Sequence, residues 1–512
     1  MPILITAAAD LDPGRIRQIA VGQRFEIAPA LLEEVNQRCA AARATLRGAD
    51  PVYGVNTGMG ALVGVRLTEP EQLAHQRNLL LGRATGGPPW LDAADARAVI
   101  AVRLRTFLSG DSGVSAALCL RLAEFLDLGI APAVPRTGVG SAGEIIPLAH
   151  AFGPLAGIGR VLGLAAAPPA AGHPAPVDDT SRTADGTRVA DGTRAAAEAL
   201  LTLGLGEYRL GPREGHALLA GVPGATALAL MRLAEAGALT AAMESAAALS
   251  IAAAGASRDP YAPACARGDD ILAGVLARVR AAAGEDARPR GLQAPVSFRV
   301  AGPVLAHVLR AADALAAAVG RALAGVTDSP AFLDGRFTGT AGFHGIDLAA
   351  HCDGLTAALA HAAEVSAARL HRLLDPRVTG LPAQLAARPG PDAGLVAVHK
   401  RAAGEVHAMR RLAAASPVGL IETSGGQEDV QSFAWEAADV LRGALHHARV
   451  VTAAELLAGY QACALSGRPA PAGCRPVVDR LAEIVRPITA DRPFGEDIER
   501  IAGVLGAGPL PW

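Results

Sequence analysis

Val134-Pro135-Arg136-Thr137-Gly138-Val139-Gly140-Ser141-Ala142-Gly143-Glu144-Ile145-Ile146-Pro147-Leu148-Ala149-His150 is the stretch on which the reading of this chain turns. At its centre, Ser141-Ala142-Gly143 places a methyl group between a hydroxyl and a residue with no side chain. Upstream, Tyr53-Gly54-Val55-Asn56-Thr57-Gly58-Met59-Gly60 crowds several glycines together, which demands a loop. Downstream, from about Pro223, the pattern changes to long Ala/Leu-rich segments. One runs to about Ala256, and others lie near residues 304–325, 348–374, 394–415 and 430–457. Small side chains let such helices approach closely, and faces that are apolar all round must be buried against one another or against another copy. The pattern predicts a bundle of long helices.

The 512 residues are 51% hydrophobic, enough for a large core. With 47 basic against 49 acidic residues the formal net charge is -2, so there is no global field to attract nucleic acid or an acidic membrane. The N-terminus, Met1-Pro2-Ile3-Leu4-Ile5-Thr6, lacks a basic region followed by a long apolar run, and the Ala-rich segments are interrupted by Arg, Glu or Asp. The expectation is a cytoplasmic protein without a membrane span. Cys39, Cys119, Cys265, Cys352, Cys463 and Cys474 form no CxxC pair and read as reduced structural thiols. His446-His447 point in different directions on a helix, there is no HExxH, and no metal site is expected.

The quoted stretch closely resembles the signature of the aromatic amino acid ammonia-lyase family, which includes the histidine, phenylalanine and tyrosine lyases. The resemblance extends over nearly the whole chain. Tyr53-Gly54-Val55-Asn56-Thr57-Gly58 matches the loop bearing the family's catalytic tyrosine, and Asn78-Leu79-Leu80 with Ala84-Thr85-Gly86 matches its next signature. Pro212-Arg213-Glu214-Gly215, Thr327-Asp328-Ser329-Pro330, Phe343-His344-Gly345 and Thr423-Ser424-Gly425-Gly426-Gln427-Glu428-Asp429 follow in the family's order. The resemblance implies a mainly α ammonia-lyase/fumarase-like bundle of long helices with a smaller N-terminal α+β part. It also implies a homotetramer whose active sites draw residues from several subunits. The expected division is residues 1–205, carrying the tyrosine loop and the tripeptide with 165–197 as a mobile surface insertion, and 206–512, the bundle with its C-terminal cap.

Where the family has Ala-Ser-Gly, this chain has Ser141-Ala142-Gly143. In the family that tripeptide cyclises with loss of water, including the serine hydroxyl, to a methylidene-imidazolone (MIO). The methyl group of Ala142 offers no leaving hydroxyl, so MIO is expected to be absent and no other cofactor is expected. Cyclisation one residue earlier would need the nitrogen of Ala142 to attack, and its Cβ crowds a closure that glycine tolerates. Ala220 and Val296 stand where the resemblance implies a ring-side asparagine and a second tyrosine, and Gly342 where it implies another amide.

What remains of the implied site is Tyr53 as base, Arg299 as the grip on a substrate carboxylate, and Phe343, Gln427 and Glu428 lining the pocket. Arg83 falls at the position implied to select the side chain, and Arg105 where an asparagine is usual. If both face inward they fork onto a second anionic group. Otherwise they pair with Glu144, Asp111 or another subunit's carboxylate. Glu428 reads as a general acid or base, or as an internal partner for an arginine, and His344 as orienting its loop.

Three functions follow. The first is cofactor-free elimination, addition or isomerisation without MIO, of the ammonia-lyase type in fold (EC 4.3.1), on a small carboxylate that is amino-acid-like or dianionic. The second is an ordinary MIO-dependent amino acid ammonia-lyase, and the third a non-catalytic ligand-binding or scaffold protein.

Overall fold

The computed structural model describes residues 2–47, 50–163, 192–285, 289–419 and 421–507. Most of the expected insertion at 165–197 lies outside the described residues. Its last residues form a strand, Thr193–Ala195, and enter a helix at Ala196.

The protein is mainly α-helical. The elements that build the site are α1 (Glu69–Leu81), α2 (Ala93–Leu108), α3 (Ile145–Phe152), α4 (Glu214–Leu219) and α5 (Pro223–Ala254), followed by α6 (Asp270–Ala283), α7 (Val296–Arg299) and α8 (Ala301–Ala324). The later long helices are α9 (Ile346–Leu373), α10 (Val396–Leu412) and α11 (Ala434–Ser466). Among the described residues strands occur as three short pairs: β1 (Ile3–Ile5) parallel to β2 (Phe25–Ile27), β3 (Arg160–Leu162) antiparallel to β4 (Thr193–Ala195), and the hairpin β5 (Ala331–Leu333) with β6 (Arg336–Thr338).

Two compact units are present. The first comprises residues 1–231, 318–350 and 416–439, so it continues past residue 205 and collects two later stretches; the second comprises 232–317, 351–415 and 440–512. In the first unit, α2 is buried along most of its length, from Ala96 to Leu108, because alanines and β-branched residues fill every face but one. The β5–β6 hairpin turns at Asp334-Gly335, both at positive φ, the conformation that a two-residue hairpin turn requires and that glycine adopts without strain. Its Phe332 and Phe337 rings pack 5.3 Å apart, and the Phe332 N–H donates to the Asp111 carbonyl at 2.7 Å, which anchors the hairpin to the loop after α2.

The second unit is built on the later part of the long helices. Ala246, Ala247, Ala248, Leu249 and Ile251 are buried in succession, so α5 is enclosed on all sides here. Gly459 on α11 sits so close to Leu249 that a Cβ there would run into the leucine side chain. The buried carboxylate of Glu455 accepts from both Arg369 Nε (2.7 Å) and Nη2 (2.9 Å) and from Ser250 Oγ (2.7 Å), so its charge is paired and hydrogen-bonded as burial requires. By length and apolarity alone the run 214–254 and α8 would each reach across a bilayer, but most of the first run's apolar window is buried by protein. The six cysteines form no disulfide, and no cluster of metal-ligating side chains occurs among the described residues.

Candidate active site

The tyrosine loop is held by its own side chains. Asn56 Oδ1 accepts from the Val52 N–H at 2.7 Å and its Nδ2 donates to the Asp50 carbonyl at 2.9 Å, while Thr57 Oγ1 accepts from the Gly54 N–H at 3.3 Å. These bonds satisfy backbone groups that a Gly-rich turn leaves without helix or strand partners. Tyr53 is fixed at its oxygen, which accepts from the Gly60 N–H at 2.9 Å.

The tripeptide lies at the entrance to α3. Ser141 Oγ donates to the Gly143 carbonyl at 2.7 Å, and the Ala142 N–H donates to Glu428 Oε2 at 2.9 Å. Glu428 is held in turn by Thr423, whose Oγ1 lies 3.2 Å from the same oxygen, and Gln431 Nε2 donates to the Gly140 carbonyl at 3.4 Å. The loop of residues 423–431 is therefore tied to the tripeptide at Ala142 and to the residue before it at Gly140. The next residue, Glu144, is buried and caps α5: its carboxylate accepts from the Gly224 N–H at 2.7 Å and the Ala225 N–H at 2.6 Å. Burial pushes its pKa up to about 7 against the opposing pull of those two amides and of Arg103.

Together these loops enclose a cavity of about 610 Å³, lined by Tyr53, Met59, Ala142, Phe343, Gln427 and Glu428 among others. It has the size of a small-molecule site. All of its lining residues belong to the first unit. Residues just ahead of three helices contribute to it: Gly143 before α3, Gly221 before α5, and Phe343 with His344 before α9. The positive ends of these helices favour negative charge in the cavity.

The sequence-predicted residues divide clearly. Tyr53, Phe343, Gln427, Glu428, Ala142 and Gly143 line one cavity, with Ser141 adjoining it beside Ala142. Arg83 lies one layer behind, its Nη2 3.9 Å from the sulfur of Met59, and its charge interacts with both Tyr53 and Glu428. Arg105 is elsewhere: Nε donates to the Leu323 carbonyl at 3.0 Å, and Nη1 to the carbonyls of Ala8 (2.6 Å) and Leu11 (3.1 Å). It pins three backbone carbonyls on two segments and does not line the cavity, and Asp111 pairs with Arg38 at 3.7 Å rather than with Arg105. Arg299 belongs to the second unit, at the end of α7, where its Nε donates to the Ala294 carbonyl at 3.0 Å; Val296 on the same turn is exposed.

Two features were not legible in the sequence. Arg103 and Arg213, both fully buried, converge on the buried carboxylate of Asp328. Arg103 Nη1 reaches Asp328 Oδ1 at 2.7 Å and its Nη2 donates to the Ala220 carbonyl, while Arg213 donates to the carbonyls of Ser112 and Pro330. Ala220 and Pro330 line the cavity, so this cluster fixes part of its wall. Burial alone would raise the Asp328 carboxyl, but Arg103, Ser112 and Arg213 outweigh it and hold the group below its usual range. The second feature is His216, a buried cavity residue whose ring stands edge-on to Tyr53 with centroids 6.0 Å apart.

The residues present do not fit the ring that the family resemblance implies. The middle residue has no hydroxyl to lose, its N–H is committed to Glu428, and Ala220 offers only a methyl group where an amide is implied.

The family model described as aromatic amino acid lyase matches residues 11–486. Histidine ammonia-lyase of Anaeromyxobacter dehalogenans strain 2CP-C is 31% identical over 100% of both chains. That of Symbiobacterium thermophilum is 31% identical over 96% of this chain and 94% of its own. Among solved structures, the ergothioneine-degrading enzyme ergothionase from Treponema denticola superposes with a TM-score of 0.88 at 22% identity, covering 99% of each chain. Tyrosine aminomutase from Streptomyces globisporus gives 0.87 at 24% identity, covering 99% of this chain and 97% of its own. The long-helix ammonia-lyase fold expected from the sequence is the fold observed.

Proposed function

The chain belongs to the aromatic amino acid lyase family, and from that premise we propose that it is an enzyme of lyase or isomerase type that works on a small carboxylate by acid-base chemistry without MIO. The observation that carries this reading is the hydrogen bond from the Ala142 N–H to Glu428 Oε2 at 2.9 Å, in the cavity that Tyr53 also lines. At the position of the implied electrophile, the chain has a backbone amide that orients a carboxylate.

In an elimination, the Tyr53 oxygen, as phenolate, takes a proton from carbon. The C–H electron pair becomes the new double bond, the leaving group departs with its bonding pair, and Glu428, entering the step as the carboxylic acid and leaving it as the carboxylate held by the Ala142 N–H, supplies the proton that group needs. Addition runs the same steps backwards, and isomerisation returns the proton to a different carbon. Arg83 supplies positive charge near both groups, and the helix N-termini favour an anionic substrate. Arg299 grips the substrate carboxylate as part of a homotetramer in which subunits share sites, in the cytoplasm. An amino-acid-like or dianionic carboxylate suits this charge pattern.

The test is a screen of amino acids and α,β-unsaturated carboxylates for turnover, followed by Tyr53→Phe. The variant is expected to lose at least ~10²-fold in kcat with its assembly unchanged. Full activity in the variant overturns the mechanism, and ligand binding without any turnover in the wild type favours a binding protein instead.

A further inference from the structure

His216 is the cavity residue for which the acid-base reading supplies no role. It is 2% exposed, lies on α4, and is held through its backbone, whose N–H donates to Gln76 Oε1 at 3.0 Å. Gly54 is obligatory beneath it, since a Cβ there would run into the His216 ring and the Gly54 φ of 67° is left-handed. The ring therefore has little freedom. Its Nδ1 is buried without a hydrogen-bond partner among the described residues, as are the neighbouring Gln76 Nε2 and His75 Nε2. Nδ1 has no accessible surface, so a ligand in the cavity meets the ring at its other nitrogen, Nε2, which is not among these fully buried atoms.

The ring is also kept uncharged. Burial, then the charge of Arg213, outweighs the attraction of Asp328 and brings its pKa down to about 3; His75 and Arg83 act in the same direction. A neutral imidazole has one N–H donor and one acceptor nitrogen. It is therefore suited to an uncharged polar group and unsuited to holding a carboxylate as a cation. The surrounding wall, with Met59, Leu219, Phe337 and Phe343, is apolar and fits a flat hydrocarbon body.

We propose that His216 is a specificity-determining residue of this cavity, hydrogen-bonding an uncharged polar group on the body of a small planar carboxylate. The preferred ligands then carry a ring nitrogen, amide or hydroxyl rather than a bare hydrocarbon. This rests on reading the cavity as the substrate pocket, but its test needs binding only, so it fails or stands separately from the proposed chemistry.

The probes are imidazole-4-acrylate and 3-phenylacrylate, which share a carboxylate and a planar body and differ in the hydrogen-bonding capacity of the ring. Titration calorimetry on the full-length protein is expected to show the imidazole compound binding at least ~10-fold more tightly. His216→Leu brings the ratio close to one, His216→Gln keeps part of the preference, and Glu483→Gln, at the exposed pair with Arg480, leaves the ratio as in the wild type. Circular dichroism establishes that each variant is folded, with His216→Gln carrying the test if the leucine variant is not. Equal affinity for the two probes, no binding of either, or an unchanged ratio in both His216 variants overturns the proposal.

Discussion

Asp328→Asn removes one negative charge from a cluster in which it faces two buried guanidinium groups while leaving the side chain's size unchanged. Arg103 is 0% exposed, Arg213 0% and Asp328 1%, so solvent cannot replace the lost charge. A pair of opposite charges about 4 Å apart is worth about 4 kcal/mol at an effective dielectric of 20, and removing one partner of a buried ion pair costs about 3–5 kcal/mol. The asparagine still accepts from Arg103 through one oxygen, so the loss is chiefly electrostatic. Against a typical domain stability of about 5–15 kcal/mol this is a severe change. The assay is urea unfolding followed by the fluorescence of Trp90 and Trp435, both in the first unit. Glu483→Gln, which breaks an exposed pair with Arg480, serves as the control and is expected to cost less than ~1 kcal/mol. The acid limb gives a second readout. Because the folded-state carboxyl of Asp328 is held below the ordinary aspartate value of 3.8, its stabilisation is complete above that value and lost as pH falls through the lower folded value. Asp328→Asn should remove this component. A cost below ~1 kcal/mol with an unchanged acid limb would refute the reasoning.

The remaining predictions concern the cap and the entry to α5. Glu144 has the opposite sign: burial pushes its folded pKa to about 7, above the ordinary glutamate value of 4.5, so the folded state holds a proton that the unfolded chain releases, and the contribution present below 4.5 is lost as pH rises through 7. Glu144→Gln should flatten the dependence of melting temperature on pH between 5 and 7; an unchanged slope counts against it. A Cβ at Gly224 would meet the Trp435 ring and the Glu144 carboxylate, so Gly224→Ala should cost about 1–3 kcal/mol through overpacking, measured by the same urea assay, and a neutral result would show the entry to be looser than described.

Much of the site was legible because its parts sit in contiguous motifs whose loops converge. Tyr53, Ala142, Phe343, Gln427 and Glu428 come from four separate stretches, and each stretch carries a local pattern of glycines and polar residues. The buried charge cluster was not legible, although Arg213 and Asp328 each sit in a quoted motif, because neither motif shows that they meet each other and Arg103. Arg103 and Asp328 are 225 residues apart, and a single arginine in a helical segment reads the same whether it faces solvent, pocket or core. Arg105 shows the same difficulty in reverse. Two positions further along α2 is a rotation of about 200°, so the turn that aims Arg103 at Asp328 carries Arg105 to the backbone carbonyls of Ala8, Leu11 and Leu323. His216 was missed because a lone histidine in a helix gives no sign of which ring or cavity it meets. The parallel pairing of β1 with β2 was likewise not readable from two three-residue strands.

The central claim is that this chain performs its chemistry without a ring built from its own backbone. Trypsin cleavage after Arg136 and Arg160 releases the peptide Thr137–Arg160, which contains Ser141-Ala142-Gly143 whole. The account predicts that its mass equals that of the unmodified sequence in protein that is catalytically active. A mass short by one or more waters would contradict it.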